Sequence, residues 1–87
     1  MRPENMRMKK FLEDHGIKCI PKYLKEGSMR GCWRLYGDGR WTPELVQRLT
    51  GLGFVDFDRS PLDEFSGNGG YFSVFVRGHD ELVSDKT

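Results

Sequence analysis

At 87 residues, 37% hydrophobic and 31% charged, the chain has the size and composition of one small soluble domain, which excludes a two-domain enzyme. A domain this short buries only about 60% of the surface its unfolded chain exposes, so little core can be spared for a deep, water-excluded substrate cavity. Fourteen Lys and Arg against thirteen Asp and Glu give a formal net charge of +1, and coating of nucleic acid by bulk charge alone is not expected. The charge is unevenly distributed: ten basic and five acidic residues precede Thr42, while four basic and eight acidic ones follow. A dipolar surface results if the two halves stay apart in the fold, and cancellation results if they interleave. No stretch approaches the roughly 18 apolar residues of a membrane span, and residues 1–6 lack the apolar run of a secretory leader. The expected compartment is the cytoplasm, with no membrane partner.

A first helix is predicted over residues 5–15, where Met8, Phe11, Leu12 and His15 recur at i, i+3, i+4 and i+7 and Gly16 supplies the stop. Strands follow over 17–24 and 31–36, joined by a polar turn. Closing this hairpin with Leu24 near Gly31 sets Ile20 against Leu35, Lys22 against Trp33 and Tyr23 against Cys32. One face then carries Ile20, Leu24, Trp33 and Leu35, and the other Cys19, Tyr23, Arg34 and Tyr36. Thr42-Pro43-Glu44 is a helix start, with Thr42 as N-cap and Pro43 in the first turn; Leu45, Leu49 and Leu52 form the apolar stripe, and Gly51 and Gly53 end the helix. A third strand is predicted over 54–58, a polar loop over 59–70, and a fourth strand over 71–77 that alternates Phe72, Val74 and Val76 with Tyr71, Ser73, Phe75 and Arg77. Residues 1–4 and 79–87 are expected to fray.

The order α-β-β-α-β-β describes a single α+β domain over 1–87, an antiparallel four-stranded sheet packed against helices. The expected core is Phe11, Leu12, Ile20, Trp33, Leu35, Leu45, Leu49, Leu52, Val55, Phe57, Phe72, Val74 and Val76. With no alanine anywhere in the chain, that core is built of large side chains.

Chemical motifs are sparse. Cys19 and Cys32 are too few for a disulfide framework, and with His15 and His79 they lack the closely spaced pairs of a zinc site. The run Ser66-Gly67-Asn68-Gly69-Gly70 has the glycines of a phosphate cradle but not the Gly-Lys-Ser/Thr ending, and it leads into a strand. Asp56, Asp58 and Ser60 open like a calcium loop, which then fails at Pro61 and Gly67. Asp56, Asp58, Asp63 and Glu64 are read as solvated strand-end acids, and neither histidine has the context of a general base. No cofactor, metal or catalysis is expected.

The outward sheet face is more suggestive. Tyr23, Arg34, Tyr36, Phe54, Tyr71, Phe75 and Arg77 are expected there, with Arg40 and Trp41 on a neighbouring turn and Asn68 as a loop contact. Gly70-Tyr71-Phe72-Ser73-Val74 is similar to the aromatic strand of an RNA-recognition motif, although the element order differs and the basic residue ahead of the glycine is absent. Aromatic and arginine side chains dominate protein-interface hot spots and also stack on unpaired bases. The near-zero net charge favours the first use: a small interaction module or inhibitor for a protein or nucleoprotein partner, of the kind common among accessory proteins of phages and mobile elements. Single-stranded RNA or DNA binding is the alternative. Both fail if the first helix covers this face.

Overall fold

A computed structural model describes residues 2–62 and 70–83. Helix α1 (Pro3–Asp14) leads into β1 (Ile20–Tyr23), β2 (Trp33–Asp38), α2 (Pro43–Gly51), β3 (Val55–Asp56) and β4 (Tyr71–Arg77), and a 3-10 turn (Asp80–Leu82) follows. The strands form one antiparallel sheet in the order β1-β2-β4-β3. This is the α+β architecture read from the sequence. The N-cap of α2 forms as expected, the Leu45 amide donating to Thr42 Oγ1 at 3.2 Å.

Both helices pack on the same face of the sheet. Met8 and Leu12 of α1 and Val46 and Leu49 of α2 share one buried cluster with Trp33, Leu35, Phe72, Val74 and Val76. Trp33 is fully buried, and its indole N–H donates to the Gly78 carbonyl at 2.9 Å, which satisfies its only polar atom. Leu45 lies half-buried beside Val46, so the buried stripe of α2 is centred on Val46 and Leu49.

The hairpin register differs from the expected one by a single residue. Ile20 faces Tyr36, Pro21 faces Leu35, Lys22 faces Arg34 and Tyr23 faces Trp33. The cause is a bulge: Gly31 donates to the Leu24 carbonyl and Leu24 donates to the Cys32 carbonyl, both at 2.9 Å, so two residues of the second strand oppose one of the first. Gly31 sits at φ 87°, the left-handed first position of a glycine bulge. The extra residue reverses the facing of β1. Tyr23 turns inward against Trp33, with ring centroids 5.0 Å apart, while Ile20 leaves the core and is 41% exposed.

The third strand is reversed in the same way. Val55 pairs with Arg77, so Val55 and Phe57 face outward and neither belongs to the buried core. Phe54, expected outside, is buried where the chain leaves α2, its amide bonded to the Leu49 carbonyl. Residues 3–4 and 79–83 are more structured than expected, and the rest of the segments expected to fray, apart from Arg2, lie outside the described residues. Pro3 and Glu4 are already helical, and Arg7 Nε holds the Leu82 carbonyl at 2.8 Å, fastening the 3-10 turn to α1. His79 packs between the rings of Phe11 and Phe54, at 4.6 and 4.7 Å, and also contacts the Leu52 carbonyl.

Candidate functional site on the open sheet face

Because both helices lie behind the sheet, no described element crosses its other face. Strand alternation places Ile20 and Lys22 of β1, Arg34 and Tyr36 of β2, and Tyr71, Ser73, Phe75 and Arg77 of β4 on that side, with Val55 and Phe57 beside them. Arg34 and Lys22 are exposed, Tyr71 is 55% exposed, and Tyr36, Phe75 and Arg77 are half-buried.

The centre of the face is preorganised. Arg34 Nε donates to Ser73 Oγ at 3.1 Å, and its guanidinium lies 4.8 Å from the centroid of the Tyr36 ring. Directly across the strand pair stands Lys22, so two cations oppose each other, and among the described residues neither forms an ion pair. Such a pair is destabilising by itself, because like charges on facing residues repel. A shallow groove runs from Ile20 past Arg34 and Tyr36 to Tyr71, with Asp38 at its far end.

The edges of the sheet are closed to strand addition. On β1, Pro21 has no N–H to offer, and the Tyr23 amide is taken by Asn5 Oδ1 at 2.9 Å. On β3, the Asp56 amide bonds to the Ser60 carbonyl at 2.8 Å within the turn that follows. With both edges closed, the side chains of the open face are the surface this sheet leaves accessible.

Five of the expected site residues come together here: Arg34, Tyr36, Tyr71, Phe75 and Arg77. Trp41 does not join them; its half-buried ring packs on Phe72, 5.6 Å away, on the helix side. Tyr23 and Phe54 are likewise turned inward. Arg40 is exposed in the link to α2, past the end of β2, and Asn68 lies outside the described residues, as do Asp63 and Glu64. Lys22, Ile20 and Phe57 were not anticipated on this face, and the signal for the first two is Gly31, whose bulge sets the register.

Comparison of the chain with protein-family models, curated proteins and solved structures gives no match. Residue chemistry therefore carries the functional reading. Burial pushes the Cys19 thiol up to about 12, and it also raises that of Cys32, so both are held as unreactive thiols. The Ser60 side chain and amide hold the Asp58 carboxyl below its usual range, which makes it a weak proton acceptor near neutral pH. Among the described residues no three His, Cys, Asp or Glu side chains converge as metal ligands, and no helix is long and apolar enough to cross a membrane.

Proposed function

We propose that the protein is a non-catalytic binding module whose working surface is the open sheet face, and that this face takes an unpaired RNA or DNA strand, free or exposed on a nucleoprotein. The facing cations Lys22 and Arg34, set beside the rings of Tyr36, Phe75 and Tyr71, carry this reading. An uncompensated cation pair costs stability in the free protein, and phosphates offset that cost on binding. Bases then stack on the neighbouring rings, which accept any sequence because every base has a π-face. The near-zero net charge favoured a protein partner, and Asp38 stands at the end of the groove, but the charged strand residues set beside the rings on this face are Lys22, Arg34 and Arg77.

Docking of a protein is the second reading, favoured by the exposed apolar side chains of Ile20 and Phe57 at the rim. Titration of the protein with a mixed-sequence single-stranded oligonucleotide, followed by amide NMR at about 50 and then about 200 mM salt, separates the two. Strand binding predicts salt-sensitive shifts at Lys22, Arg34, Tyr36, Tyr71 and Phe75. In Arg34→Ala the affinity falls for every sequence and the salt slope drops by about one. No shifts at the lower salt would reject strand binding and leave the protein reading.

A further inference from the structure

At the other end of the face, where β4 runs into the C-terminal segment, a cleft opens between Arg59 and Arg77 with Gly31, Gly53, Gly78 and Asp80 around it. Its two guanidiniums are held differently. Arg77 Nε donates to the Phe57 carbonyl, which restrains the group, and its Nη1 stands 3.1 Å from where a Cβ on Gly31 would lie. Glycine at that position keeps the space in front of the guanidinium open. Arg59 is exposed, and among the described residues its side chain has no hydrogen-bond or ion-pair partner.

Arg59 also sits at φ 68°, in the left-handed region that glycine enters freely and a residue with a Cβ enters at a cost. The turn is closed by backbone bonds from Arg59 to the Asp56 carbonyl at 2.7 Å and from Asp56 to the Ser60 carbonyl at 2.8 Å. Glycine would meet the same turn without strain, so an arginine here is explained by its side chain and not by its backbone. One carboxylate, Asp80, faces two guanidiniums, which leaves the cleft with a positive excess.

We infer that this cleft is a phosphate-binding site, with Arg59 and Arg77 as the two ligating guanidiniums and Gly31 leaving room beside Arg77. Paired N–H donors in a planar fork match phosphate oxygens in a way that a single ammonium does not. Arg77 and the adjoining Val55 belong to both the cleft and the open face. The inference thus rests on the strand-binding reading in one respect: the phosphate of a bound strand is the expected occupant, and a free phosphate monoester is the other source of the same chemistry.

The test is titration of the intact protein with inorganic phosphate at constant ionic strength, read at the amides of Gly31, Gly53 and Gly78. Saturable shifts are expected. Arg59→Gly should weaken them about tenfold or more while the remaining amide spectrum and the Tm are kept, since the substitution relieves strain. Asp80→Asn should tighten binding by about two- to fivefold, the size of an exposed charge interaction. Shifts that do not saturate, or that are equal in wild type and both variants, would overturn the site. Saturating oligonucleotide should compete with phosphate; phosphate bound unchanged beside the strand overturns the strand as its source and assigns the cleft to a free monoester. If phosphate binds and no oligonucleotide does, the cleft stands and the strand-binding reading falls.

Discussion

Lys22 shows how one side chain can be wrong for the fold and right for a partner. It faces Arg34 across the hairpin, and neither has a carboxylate opposite. Replacing it with glutamate converts a repulsive cross-strand pair into an attractive one, worth about 0.2–1 kcal/mol on this kind of surface. Lys22→Glu is therefore expected to raise the Tm by about 1–8 °C, given the steep dependence of Tm on stability in a domain of this size. The same change should weaken oligonucleotide binding. A lowered Tm in thermal melts would show that the cations do not repel in the free protein, and the cost attributed to them would disappear. His79 marks the opposite case. Its ring is clasped by Phe11 and Phe54, side chains distant in sequence, so no local pattern around it distinguishes a packing residue from a frayed end.

Among the elements, those bounded by local chemistry were legible in the sequence and those positioned by tertiary pairing were not. Thr42-Pro43 starts α2 because the cap and the proline act within one turn, and β4 spans Tyr71–Arg77 because its alternation is uninterrupted. The facing of β1 depended on one glycine. Reading Gly31 as an ordinary end of the turn gives one register, and reading it as a left-handed bulge gives the other, which moves Ile20 and Lys22 to the open face and Tyr23 into the core. The candidate site was legible to the same extent: residues on β2 and β4 were placed on the correct face, whereas Trp41 was drawn to the helix side by its packing on Phe72. The β1 edge adds a prediction at this scale. Asn5, buried on α1, accepts the Tyr23 amide that would otherwise be an open donor at the edge. Asn5→Ala should cost about 0.5–1.5 kcal/mol, as expected for the loss of a part-buried hydrogen bond. It should also make self-association concentration-dependent in sedimentation, because an edge donor is released. A Tm and a sedimentation profile both unchanged would show that the edge is closed by Pro21 alone.

For the molecule as a whole, pH acts from two sides, and the groups responsible are different. Among the described residues four carboxyls lie below their ordinary range in the folded state: Glu4, through a backbone amide in the first turn of α1 and then Lys25; Glu13, through Lys9; Asp58, through Ser60; and Glu81, chiefly through its own backbone amide. A carboxyl whose folded pKa is depressed stabilises the fold above its unfolded pKa, and that contribution is lost as pH falls through the folded value. Acid should thus erode stability below the usual carboxylate range. Glu4→Gln, which also loosens the 3.1 Å contact of α1 with Lys25 in the hairpin turn, should flatten that acid limb. The alkaline limb belongs chiefly to Cys19, where burial raises the thiol from 9.0 to about 12, with Cys32 shifted in the same direction. The protonated form of Cys19 is the one the core accepts, so its contribution is complete below pH 9 and declines as the pH climbs toward 12. Thermal melts of wild type and Cys19→Val between about pH 8 and 11 isolate this group, since valine fills a similar volume and does not ionise. The wild-type Tm should fall more steeply than that of the variant over this window. Parallel curves would mean that the Cys19 thiolate reaches solvent without opening the core, and the packing of β1 beneath α1 would then be looser than its burial indicates.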